Sequence, residues 1–119
     1  LNFETPHLND GNDFDASNER FVAPVDGAYY FHFHTNVDTN VGSGTRVEIH
    51  FNWRVNGSSV STSKGGRFYG EWTGYGWEHM SACIMLDLSD GDYVDIVTGR
   101  SNMRVDGGHY GQFTGWLVG

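Results

Sequence analysis

The chain has 119 residues, with seventeen Gly, four Trp, six Tyr, eight Phe and a single Cys. That length suits one domain with its own core, held without a metal or disulfide staple. Seven Lys and Arg against fifteen Asp and Glu give a net charge of −8, which speaks against a nucleic-acid backbone or an anionic membrane surface as partner.

In chain order, the first stretch is rich in turn residues: Asn9-Asp10-Gly11-Asn12-Asp13-Phe14-Asp15. Leu1 is preceded by neither an initiator Met nor a recognisable signal peptide, so it reads as the start of a mature or excised segment. Pro24 and Gly27 bracket a turn. After it, Tyr29, Phe31 and Phe33 alternate with Tyr30, His32 and His34. Successive side chains of a strand point to opposite faces, so this segment predicts a strand with one core side.

The clearest alternation runs from Arg46 to Val55. Val47, Ile49, Phe51, Trp53 and Val55 fall on one face; Arg46, Glu48, His50, Asn52 and Arg54 fall on the other. Asn56-Gly57 follows, a dipeptide that tolerates positive φ at both central turn positions and predicts a hairpin. The segment Arg67 to Trp77 then interleaves aromatic residues with glycines. From Met80 to Leu88 a second alternation sets Met80, Ala82, Ile84, Leu86 and Leu88 against Ser81, Cys83, Met85 and Asp87. Strands are predicted again at Tyr93 to Thr98 and Gln112 to Val118, with a long loop, Arg100 to Gly111, between them. No helical period competes anywhere, and no apolar run has the length of a membrane span. Many short strands with regular turn signals predict an all-β, two-sheet antiparallel sandwich.

Catalytic machinery is not readable. Cys83 sits mid-strand, has no partner for an internal disulfide and no nucleophile motif around it. His32 and His34 would lie about 7 Å apart on one strand face, a spacing that suits two ligands of one metal with His50 as a third. The competing reading, a polar outer face or subunit contact, is preferred, and no metal site is assigned. Two acidic stretches, Asn9 to Asp15 and Asp87 to Asp92, have the oxygen-rich composition that calcium needs. The same residues are what hairpin turns need, so no cofactor is assigned and calcium stays a secondary reading.

Two segments carry ligand-binding chemistry. In a loop expected around Trp72 to Tyr75, glycines permit close backbone approach and flat rings can stack on sugars or other planar groups. The loop with Arg100, Arg104, Asp106, His109 and Tyr110 places guanidinium forks in an acidic protein, suited to a carboxylate such as that of an acidic sugar. The structural alternatives are large inward side chains for the first and internal ion pairs for the second.

Phe3, Asn9, Phe14, Phe21, Gly27, Tyr29, Phe31 and Phe33 form the ladder F-x5-N-x4-F-x6-F-x5-G-x-Y-x-F-x-F. The ladder resembles the signature of the complement C1q globular-head domain, in the C1q/tumour-necrosis-factor-like family. Leu86-Asp87-Leu88-Ser89-Asp90-Gly91-Asp92-Tyr93-Val94 resembles the family's L-x-L-x-x-G-D-x-V hairpin, and Phe113-Thr114-Gly115-Trp116-Leu117 its closing strand. The resemblance implies a jelly roll and a secreted, non-enzymatic module of innate-immunity type. It also implies assembly as a homotrimer that binds carbohydrate or other cell-surface ligands. A first strand and a collagen-like stalk, usual in the family, are not in this sequence. The residues add a reason for self-association: Tyr30, Cys83 and Met85 face outward on strands whose other sides fill the core. A second expectation of a different class is a structural trimeric head or cap of a fibre-like assembly.

Overall fold

The computed structural model describes residues 14–15, 17–38, 46–73, 77–98, 104–106 and 112–119. They form ten strands: β1 (Phe14–Asp15), β2 (Arg20–Val22), β3 (Gly27–Asp38), β4 (Arg46–Val55), β5 (Ser58–Ser59), β6 (Arg67–Thr73), β7 (Trp77–Leu88), β8 (Tyr93–Thr98), β9 (Arg104–Asp106) and β10 (Gln112–Leu117). Two antiparallel sheets result. One has six strands in the order β1-β2-β8-β4-β5, with β6 also on β4; the other has four, β10-β3-β7, with β9 also on β3. This is the all-β, two-sheet antiparallel sandwich that the alternation predicts, with the jelly-roll-like form that the resemblance implies.

β3 and β4 are the central strands, and the alternation of each decides what fills the interior. Phe31 and Phe33 from β3, and Phe51 and Trp53 from β4, are fully buried. Phe33 meets Phe51 with ring centroids 5.5 Å apart, and Phe31 meets Trp53 at 6.2 Å. Met80, Ile84 and Leu88 of β7 and Val94 and Ile96 of β8 complete the core, with Phe21 and Tyr29. The Tyr29 ring is buried, but its hydroxyl donates to the Val25 carbonyl at 2.7 Å, so its polar end is satisfied in the turn before β3.

Two glycines are fixed by geometry. Gly57 has φ 84° and follows Asn56 at φ 51°, the pair of positive values that a two-residue hairpin turn requires. Gly115 of β10 lies against the core: a Cβ there would stand 2.5 Å from Phe31 Cε1, well inside contact distance, so the closing strand can pack only with no side chain at that point.

Candidate ligand-binding end and assembly face

The two segments that carry ligand chemistry belong to different sheets. Trp72 lies in β6, paired with Val47 of β4 in the six-stranded sheet. Arg104 and Asp106 lie in β9, paired with Asp38 and Asn36 of β3 in the four-stranded sheet. Register nevertheless brings them to one end of the sandwich. Arg104 pairs with Asp38, and Asp38 pairs on its other side with Trp77, the first residue of β7. Only three residues separate Trp77 from Thr73, a link that spans at most about 14 Å. Thr73 in turn pairs with Arg46, the first residue of β4. Tyr75, Arg100, His109 and Tyr110 lie outside the described residues. The expectation that each segment is a loop needs correcting, since Trp72 is inside a strand and β9 interrupts the stretch from Arg100 to Gly111. Both short strands form because central strands as long as β3 and β4 leave edge positions that a neighbouring backbone can fill.

The opposite end is closed by its own hydrogen bonds. Asp92 Oδ2 accepts from the Ser89 backbone N–H at 2.8 Å, and its Oδ1 accepts from Asn56 Nδ2 at 2.8 Å. Those two bonds hold its carboxyl below the usual carboxylate range. Asn56 Oδ1 accepts from the Tyr93 N–H at 3.0 Å, and Asp26 Oδ1 accepts from the Asp90 N–H at 2.7 Å. The acidic stretch weighed for calcium thus uses Asp92 to join its own turn to the Asn56-Gly57 turn, and the Asp90 N–H to join it to the turn before β3. Of the other acidic stretch, Asp15 is described: its Oδ1 accepts from the Ser17 and Asn18 N–H groups at 3.1 and 3.2 Å, forming a local turn.

The outward side of the four-stranded sheet is built differently. Tyr30 of β3 packs on Trp116 of β10, centroids 4.7 Å apart. Met85 is 62% exposed and Trp116 47%. The nearby Cys83 thiol pushes ionisation of the Tyr30 phenol upward. Beside them runs a row of imidazoles: His32 to His34 at 5.7 Å between centroids, then His34 to His79 at 5.6 Å. Among the described side chains, Asp87 is the carboxylate on this face, four residues along β7 from Cys83.

The model of the C1q domain family matches residues 1–118 of the chain. The chain belongs to the C1q domain family. Among solved structures it is similar to the globular domain of zebrafish complement 1qA protein, with a TM-score of 0.60 and 20% identity over 97% of this chain and 80% of that one. That likeness is one of fold. Membership places this C1q domain among non-catalytic recognition modules.

Two histidine positions differ from the expected arrangement. His50 lies on β4, and its neighbour Phe51 points into the core. It therefore faces outward from the six-stranded sheet, with both sheets between it and His32 and His34, and cannot join them at one metal. The imidazole that does join them is His79, which pairs with Asn36 in register, its Nδ1 lying 3.4 Å from Asn36 Oδ1. Among the described residues no group of three or more His, Cys, Asp or Glu is arranged to hold a metal ion. Two side chains of this outward face were not singled out from sequence: His79, which the alternation from Met80 reaches when extended one residue toward the N-terminus, and Trp116, which alternates with Gly115 and Leu117.

Proposed function

We propose that this C1q domain is an extracellular, lectin-like recognition module that assembles as a homotrimer and binds glycans or other surface ligands. The ligand site is the end of the sandwich where β6 meets β7 and β9 meets β3. It uses Trp72, Arg104 and Asp106, with Tyr75, Arg100, His109 and Tyr110 in the adjoining segments. The observation that carries this reading is the convergence by register of an aromatic segment and an Arg-bearing segment, from opposite sheets, at one end. Among the described residues, the other end is taken up by turn hydrogen bonds. Trimeric display suits the task, because three weak sites on one target bind far more tightly than one.

The self-contact is supported by the outward side of the four-stranded sheet. Exposed aromatic and sulfur-bearing side chains with little charge are what a subunit interface is made of. In a protein of net charge −8, this is also where copies can approach with least repulsion.

A glycan array on the assembled protein tests the recognition half. Trp72→Ala and Arg104→Ala are expected to weaken an acidic-sugar ligand about ten- to a hundredfold, Arg104→Ala more for the acidic sugar than for a neutral analogue. Folded, trimeric variants that bind every ligand at the wild-type level would move the site elsewhere. Trimers that bind nothing on the array would favour the purely structural head.

A further inference from the structure

Three imidazoles stand in a row on the outward side of the four-stranded sheet. They are not scattered: His32 and His34 are on β3, His79 is on β7, and adjacent rings lie 5.7 and 5.6 Å apart. They continue directly from the Tyr30–Trp116 pair, because His32 is two residues from Tyr30 on the same face of β3. A second copy that covers the aromatic pair therefore covers or borders the histidines as well.

We propose that this row makes self-association of the domain pH-gated: copies hold together near neutral pH and release in mild acid. The proposal rests on the self-association reading above and names its regulation. Imidazole is the side chain that changes charge between about pH 5 and 8. Neutral, the rings are flat, weakly polar groups that tolerate an apolar partner. Protonated, each is a cation that loses water on burial and repels its neighbours at under 6 Å, and the partner copy brings its own row.

The charged groups that the register places around the row stand toward its two ends. On β3, Tyr30 has its ionisation pushed up by Cys83 and stays neutral in this range. On β7, Cys83 pairs with His32, and Asp87 pairs with Ala28 at the far end of the strand. On β10, Thr114 pairs with His32 and Gln112 with His34, neither of them charged. On β9, Asp106 pairs with Asn36 and so stands level with His79 across β3, while Arg104 pairs with Asp38 one step further along the strands.

Linkage sets the sign. If assembly favours neutral rings, protons are released on association, and lowering the pH weakens it by up to about tenfold per pH unit for each coupled ring. The test is sedimentation equilibrium of the full chain at about pH 7.5 and pH 5.5, with circular dichroism confirming that the fold is kept at both. At least a tenfold weaker association at the lower pH is expected. His32→Gln/His34→Gln/His79→Gln should assemble at the higher pH and lose most of the difference. Equal association of the wild type at the two pH values overturns the gate and leaves self-association standing. A monomer at both overturns the reading beneath it as well. Should the triple variant not fold, dilution calorimetry of the wild type in two buffers of different ionisation enthalpy decides. Proton release on assembly supports the gate, and no proton exchange refutes it.

Discussion

On the outside of the six-stranded sheet, charged side chains answer one another within the same face. Arg54 donates to both oxygens of Asp95, from Nε at 2.8 Å and Nη2 at 2.5 Å. The Arg20 guanidinium stands 4.0 Å over the Tyr93 ring, and Arg67 Nε donates to Asn52 Oδ1 at 2.9 Å. The outside of the four-stranded sheet carries a contiguous group of rings, a thiol and a thioether: Tyr30 against Trp116, the histidine row, Cys83 and Met85. Both faces arise from the same strand alternation, and both cover the same core. On the first, Arg54, Arg67 and Arg20 each meet a partner within the chain. The second leaves apolar surface that a further protein surface would cover at a gain of about 25 cal/mol per Å².

The largest expected effect tests what the two faces share. Trp53→Ala should destabilise the fold by about 3–5 kcal/mol, because a fully buried indole between the sheets is replaced by a cavity. Trp53→Phe should cost distinctly less, since it keeps a ring there and removes an indole N–H that is buried without a hydrogen-bond partner. Chemical denaturation measures both; equal losses would mean that the packing of Trp53 against Phe31 matters little. Next comes the contrast itself. Met85→Glu lies on an exposed position, so the monomer fold should be unaffected, while self-association should weaken about a hundredfold as a carboxylate enters the apolar contact. An unchanged assembly in light scattering would show that copies meet elsewhere.

The faces were readable in the sequence wherever alternation was unbroken. The Arg46 to Val55 segment and Tyr93 to Thr98 are strands with the predicted limits, and Asn56-Gly57 makes the predicted turn. Legibility failed where edges and partners matter. β9 is three residues long, and nothing in Arg104-Val105-Asp106 distinguishes a strand from a loop until the exposed edge of β3 is known to run alongside it. His79 could not be joined to His34 without the β3–β7 register, which is a property of two distant segments. His50 was misplaced for the same reason: alternation says which residues share a strand face, not which strands share a sheet. The candidate ligand end was legible as two chemically rich segments, but their meeting depends on a short crossing from β6 to β7.

A smaller effect is expected on the six-stranded face. Arg54→Ala should lower stability by about 1 kcal/mol or less, because the pair is bidentate but partly open to solvent. Self-association should not change. A loss of assembly in this variant would erase the distinction between the faces.

The smallest effect separates acid sensitivity of the fold from acid sensitivity of the histidine face. The Asp92 carboxyl is held below its ordinary value of 3.8, first by the Asn56 amide and then by the Ser89 N–H. A lowered folded value means that the charged form favours folding. That contribution is complete above the unfolded carboxylate value and disappears as pH falls through the lower folded one. The wild-type melting temperature should therefore decline below about pH 4, well under the range in which imidazoles titrate. Asp92→Asn should start from a lower melting temperature at neutral pH and decline less steeply. An amide can accept the Ser89 N–H, but it then turns its own NH2 toward Asn56 Nδ2. Asn56 cannot flip to accept that donor without taking its Oδ1 from the Tyr93 N–H, 3.0 Å away. The clash gives the neutral-pH loss, and the missing charge gives the flatter acid limb. If the variant and the wild type fall in parallel below pH 4, the acid limb belongs to other carboxylates and the Asp92 junction is not what closes this end of the sandwich.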